Sequence, residues 1–318
     1  MKHLHEWSVF EDWNSLPGQG DLSQRTASLG IDGYELFTIK APVQDCYVMP
    51  EVVSVHLPYA IDWRSAWEGR SYEGMPEDVT YFSFGHDREE MVGNLRDCIN
   101  YAAKVRPAYG VLHAGNTDIR QVLHRRHESD DLKVLGLFAD FINQTVSGMP
   151  GGEPPFKLAL ENLWWEGLKL RSPEEWRLLE RKLEFDNWGF TLDTGHLMNT
   201  CDGAYDEDSA IDEVMAVIDR YPRDMRDRIG TIHLQLSCSA AFRESIESED
   251  RGEDEPWESF YRRAAKRATD IDNHLSFTSG RVREITDAID PEYVNHELMG
   301  HRTGDRYEDL RQQRRLFG

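Results

Sequence analysis

Short apolar runs recur along this chain, and several close on a histidine or a carboxylate. Val52-Val53-Ser54-Val55 runs into His56, Gly110-Val111-Leu112 into His113 and Leu158-Ala159-Leu160 into Glu161. Phe190-Thr191-Leu192 runs into Asp193, and Gly230-Thr231-Ile232 into His233. Runs of this length, separated by long helical stretches, read as parallel strands buried on both faces. The strand candidates are His3–Val9, Ile31–Phe37, Val52–His56, Tyr109–His113, Lys157–Glu161, Gly189–Asp193, Ile229–Leu234 and Tyr293–Glu297. Helical periodicity fills the gaps. In Arg88–Val105, Met91, Leu95, Cys98, Ile99 and Ala102 fall at i, i+3/i+4 spacing. Asp131–Val146, Ser209–Tyr221, Thr278–Ile289 and Arg306–Leu316 read as further helices, and Ser172-Pro173 opens another with a serine cap and a proline in the first turn.

Strand and helix alternate through the whole length, and right-handed crossovers close such a chain most simply into a (β/α)₈ TIM barrel, an α/β fold. The expectation is a single domain over residues 1–318, with insertions near 58–87 and 237–271. The first insertion carries Gly69, Gly74, Pro76 and Gly85. The second is strongly acidic over Glu244–Glu258, then basic at Arg262, Arg263, Lys266 and Arg267. Each reads either as a solvated loop with a surface helix or as a lid over the barrel mouth.

Composition narrows the classes. Hydrophobic residues are 39% of the 318 and aromatics 11%, ample for one large core. A net charge of −22 argues against a basic nucleic-acid footprint. Cys46, Cys98, Cys201 and Cys238 are widely spaced and form no CxxC pair, so free thiols in a reducing, cytoplasmic setting are expected. The first residues lack the apolar stretch of a signal peptide, and no run is long enough to span a membrane.

Polar ligand types at the carboxyl ends of successive strands are how a barrel of this kind builds a site. Nine side chains read as metal ligands: His56, His113, Glu161, Asp193, His196, His233, Asp272, His274 and Glu297. In Leu192-Asp193-Thr194-Gly195-His196, the aspartate ends a strand and the histidine follows on the first turn of the loop, so both can face one mouth. Taken alone, His233 inside an apolar strand reads as a core histidine and Glu161 as a salt-bridge partner. Period-2 alternation sends His296 and Glu297 to opposite faces, so only one of them can be a ligand. Mixed imidazole and carboxylate donors without cysteine suit Mn²⁺, Zn²⁺ or Fe²⁺.

These motifs, with Val55-His56-Leu57-Pro58-Tyr59, Leu112-His113-Ala114-Gly115, Leu160-Glu161-Asn162, Ile232-His233-Leu234 and Asp272-Asn273-His274, stand in the order of the xylose isomerase-like TIM-barrel superfamily, which the chain resembles over about residues 30 to 300. The superfamily includes sugar isomerases, epimerases and endonuclease IV of the AP endonuclease family 2. The resemblance implies a core metal on Glu161, Asp193, His233 and Glu297, with Glu161 and Glu297 as catalytic proton-transfer groups and His196 touching substrate. The favoured expectation is a divalent-metal-dependent isomerase or epimerase of a sugar or sugar phosphate, working through a metal-stabilised enediolate.

The resemblance also implies a rival, an endonuclease IV-like multinuclear AP endonuclease or phosphodiesterase. There His56, His113 and Glu161 would hold one ion, the core four a second, and His196, Asp272 and His274 a third, so one to three ions are expected. Two departures weigh against it: Gly195 stands where the endonuclease motif has cysteine, and Leu234-Gln235-Leu236-Ser237-Cys238 replaces its Asn-Asp-Ser-Lys stretch. Gln235 also replaces an acidic residue of many isomerases. A non-catalytic metal-binding member is the least favoured class. Trp164 and Trp165 are expected either to pack at the rim or to offer a stacking face to substrate, and Glu35 to steer a substrate hydroxyl or form an ion pair. His5, His124, His127 and His301 carry no motif. Substrate identity and oligomeric state are not legible.

Overall fold

The apolar runs become strands that pair side by side and close on themselves. The computed structural model describes residues 1–70, 83–119, 121–124 and 129–318. The barrel strands are β1 (Lys2–Ser8), β2 (Gly33–Phe37), β3 (Val52–His56), β4 (Tyr109–His113), β5 (Lys157–Glu161), β6 (Trp188–Asp193), β7 (Ile229–His233) and β8 (Tyr293–His296). All pair in parallel in sequence order, and β8 returns to β1 with His296 beside His5. Each expected strand is present within one or two residues of its expected bounds. The helices at Arg88–Ala102, Asp131–Ser147, Pro173–Lys182, Glu207–Ile218 and Arg306–Arg314 follow the expected periodicity.

Helix starts are set by side chains that satisfy the free backbone N–H groups. Asp87, Ser172 and Asp206 cap their helices, so the helix expected from Ser209 begins instead at Glu207. The helix expected from Thr278 begins only at Val282. Thr278 and Ser279 donate their N–H groups to the Glu207 carboxylate, which holds that segment as a loop. Of the two expected insertions, residues 71–82 of the first, and separately His127, lie outside the described residues. The second contains helices at Ala240–Ser245 and Trp257–Ile271.

The barrel interior is layered. Leu4, Tyr109, Val111, Ala159 and Tyr293 form an apolar plug. Beyond it Ser54 and Asn295 donate to the buried Glu35 carboxylate at 2.9 and 3.1 Å. The strand-end histidines and carboxylates occupy the open, carboxyl-terminal end.

Alternation turns His3 and His5 of β1 outward, beneath the C-terminal helix. The Gln313 amide donates to His296 Nδ1 at 2.8 Å, which leaves His296 Nε2–H to donate to His3 Nδ1 at 3.0 Å. His5 Nδ1 donates to the His296 carbonyl at 2.7 Å. Burial holds His3 and His5 neutral, each with its pKa lowered from 6.5 to about 4. The unfolded chain therefore takes up protons that the folded chain refuses between those values, so these two groups remove stability as pH falls from about 6.5 towards 4. Each is expected to cost on the order of 2 kcal/mol between pH 7 and 4.5. Urea unfolding at the two pH values should show a smaller acid loss in His5→Asn than in the native chain; equal losses would refute the assignment.

Candidate metal centre

Nine side chains converge at the carboxyl-terminal end, in three groups whose ligand atoms lie within 4.8 Å of one another. His56, His113 and Glu161 form the first. Glu161, Asp193, His233 and Glu297 form the second, and His196, Asp272 and His274 the third. These are the residues expected from the motifs.

Glu161, at the end of β5, joins the first two groups. Its Oε2 lies 3.3 Å from His56 Nε2 and 3.1 Å from His113 Nε2. Its Oε1 lies 3.0 Å from His233 Nδ1. Burial would raise the Glu161 pKa, but His233 and His113 reverse that and hold it well below the usual carboxylate range. Glu297 follows β8 and turns inward, 3.1 Å from His233 Nδ1, while its neighbour His296 faces outward. In the third group, Asp272 Oδ2 lies 3.2 Å from His196 Nε2 and 2.9 Å from His274 Nε2. His274 adopts a left-handed backbone, φ 46°, uncommon for a residue with a Cβ.

Several of these atoms approach one another without the angles of a hydrogen bond. Glu161 Oε1, Asp193 Oδ2, His233 Nδ1 and Glu297 Oε2 are buried with no hydrogen-bond partner. Carboxylate oxygens and ring nitrogens that converge on one point without hydrogen-bond geometry between them suit a shared cation, and unmatched buried polar atoms are costly. The donor set therefore fits divalent ions such as Mn²⁺, Zn²⁺ or Fe²⁺.

The supporting contacts come from residues the motifs did not fully explain. Glu35 does not line the cavity: it sits wholly buried behind His233, 2.8 Å from Nε2. Its position suits orienting that imidazole rather than steering a substrate hydroxyl. Asn162 accepts from Asp193 N–H at 2.8 Å and donates to its carbonyl at 3.0 Å, tying the ends of β5 and β6. Gln235 donates to Asp193 Oδ1 at 3.2 Å and Asp272 Oδ1 at 2.9 Å, bridging the second and third groups. A Cβ on Gly195 would fall 2.1 Å from that amide. The two motif departures at 195 and 235 are thus one change: the missing side chain makes room for the bridging amide.

A cavity of about 510 Å³ opens over the groups. Trp164 and Trp165 line it, Trp164 with its ring 4.9 Å from that of His196. Tyr59 stacks on His113 at 4.5 Å, and Phe37 on His56 at 5.0 Å. Glu6 also lines the cavity but joins none of the ligand groups. Burial, with Glu297 nearby, raises its pKa to about 7. Glu6 was not among the expected site residues, although alternation in β1 places it with Leu4 on the inner face.

Over residues 24–292 the chain matches the family described as xylose isomerase-like TIM barrel, and it belongs to that family. No curated protein matches it. Among solved structures it is similar to endonuclease IV from Thermus thermophilus, at 14% identity and a TM-score of 0.56 over 100% of this chain and 99% of that one. It is also similar to a D-tagatose 3-epimerase-like protein, at 15% identity and 0.51 over 100% and 97%. An L-ribulose 3-epimerase aligns at 12% and 0.53 over 92% and 85%. At these identities the likeness is one of fold. No helix among the described residues is long and apolar enough to cross a membrane.

The charge states of the ligands set how metal uptake depends on pH. Burial would lower the imidazole pKa of His56, His196, His233 and His274, but neighbouring carboxylates hold all four above 6.5, His56 at about 9 and His274 at about 10. Metal uptake must displace those protons, so affinity should rise with pH through neutrality. Calorimetry in buffers of different ionisation heat should find more than one proton released per ion at pH 7; no release would refute these charge states. Separately, Gly195→Ala and Gln235→Ala should each weaken Mn²⁺ binding roughly 10-fold or more at the weakest site, through the same displaced amide. The double variant should then be no worse than either single one; additive losses would refute the coupling.

Proposed function

We propose that this chain is a metal-dependent phosphoester hydrolase with a multinuclear centre, acting on a small substrate. The observation that carries the reading is Glu161, whose two oxygens face different ligand groups, Oε2 towards His56 and His113 and Oε1 towards His233. A carboxylate so placed suits a bridge between two cations. When bound, divalent ions there would supply Lewis-acid polarisation of a phosphoryl oxygen and activation of a nucleophile. The chain's own groups do the rest. Glu35, Asn162 and Gln235 hold His233, Asp193 and Asp272 in place. Glu6, near neutrality and outside the ligand groups, can give a proton to a leaving oxygen or take one from a nucleophile. The tryptophan, tyrosine and phenylalanine rings around the histidines restrict water.

A second reading, isomerisation or epimerisation of a sugar, draws support from the second group alone. Glu161 and Glu297 both reach it and can move protons on either side of a substrate. The enediolate expectation belongs to this reading.

Protein purified without chelator is expected to carry two or three divalent ions per chain. It should hydrolyse bis(p-nitrophenyl) phosphate, with the rate falling at least about 100-fold in Glu161→Gln and in His113→Ala. One ion per chain, no phosphoester cleavage and uptake of solvent deuterium next to the carbonyl of a ketose would overturn this reading in favour of the second.

A further inference from the structure

The ligand groups make only the floor of the cavity. Its wall comes from a second apolar cluster, separate from the main core, in which Ile119, Val122, Leu163 and Trp165 pack against Phe260 and Ala264 of the Trp257–Ile271 helix. All of these except Phe260 also line the cavity. Phe10 and Met299 stand at the rim, 78% and 55% exposed, and extend the apolar lining towards the opening. Among the described lining residues there is no lysine or arginine, so the described wall presents no cation to a phosphate or to the backbone of a nucleic acid. Ser8, Tyr59, Thr117, Tyr261 and Thr269 also line the cavity, whereas the wall built by the second cluster is apolar.

We infer that the substrate is a phosphoester whose alcohol part is an apolar, ring-bearing group, with the phosphoryl group at the ligand-bearing floor and the ring against the Leu163–Trp165 wall and the Trp257–Ile271 helix. This rests on the phosphoester reading above and adds the class of its leaving group. The cavity's 510 Å³ holds a phosphoryl group and one or two rings, and not a folded polynucleotide. The opposite arrangement, a wall serving only to hold the helix down, predicts no preference for a ring.

The test compares methylphosphonate, phenylphosphonate and ribose 5-phosphate as ligands of the Mn²⁺-loaded full chain, by calorimetry and with manganese content measured in parallel. A phenyl ring buries about 100 Å² of apolar surface, enough for phenylphosphonate to bind at least about 10-fold tighter than methylphosphonate. Ribose 5-phosphate should show no such gain. Ala268→Phe narrows the wall from a partly exposed helix position and should lower the phenyl-to-methyl ratio; Trp164→Ala, which removes a ring, should lower it as well. Equal binding of the two phosphonates, or tighter binding of ribose 5-phosphate, overturns the inference while leaving the phosphoester reading intact. Absence of binding by all three to protein shown to hold manganese overturns both.

Discussion

The structure of the mouth depends on keeping Glu161 ionised at the dry end of the barrel. Its 1% exposure puts an unsolvated carboxylate among Asp193, Glu297 and Glu35, all buried or nearly so. In water such groups repel weakly; here Glu161 and Glu297 stay charged through the imidazoles around them. The histidines answer that demand in part, and their raised pKa values are the counterpart of its lowered one. Asp193 shows where the supply of positive charge ends: burial and the neighbouring Glu297, Glu161 and Asp272 push it up to about 8, against the pull of His196. A proton on Asp193 stands in for charge that a divalent ion would bring, which is why metal binding and proton release belong to one equilibrium.

The second and third ligand groups are joined by an uncharged side chain, and this has a consequence for specificity. An acidic residue at position 235 would add another negative charge beside Asp193 and Asp272. The Gln235 amide instead donates to both, lowering the charge that bound ions must offset while fixing the spacing of their ligands. It can do so only because position 195 has no side chain. Read separately along the chain, Gly195 and Gln235 look like two losses from a motif; in space they form one complementary pair.

Much of the fold was legible because parallel strands buried on both faces leave continuous apolar runs, and the ligands fall where those runs end. His56, His113, Glu161, Asp193 and His233 are all of this kind. Other parts had no such signal. Asp272 and His274 follow a helix rather than a strand, so only their resemblance to a motif marked them. Glu35 looked like a mouth residue because it lies late in β2, yet a strand turns each side chain to one level of the barrel and this one lies below His233. Glu6 was missed for the converse reason: β1 carries two histidines that attract notice, and they face outward while the glutamate between His5 and Trp7 faces in. Of the apolar wall only Trp164 and Trp165 were legible, since it is assembled from two loops and the Trp257–Ile271 helix, far apart in sequence.

Those same features would reconcile an acidic protein with the anionic substrate proposed above. At physiological salt, exposed charges fade over about 8 Å, whereas buried charges at the cavity floor are screened far less. A small phosphoester entering the cavity responds chiefly to the ligand groups and whatever ions they hold. A long polyanion must also lie along a surface with a net charge of −22 and is repelled over its length. The fold it shares with an endonuclease does not by itself carry over that partner: among the described residues that line the cavity there is no lysine or arginine to meet a polynucleotide backbone.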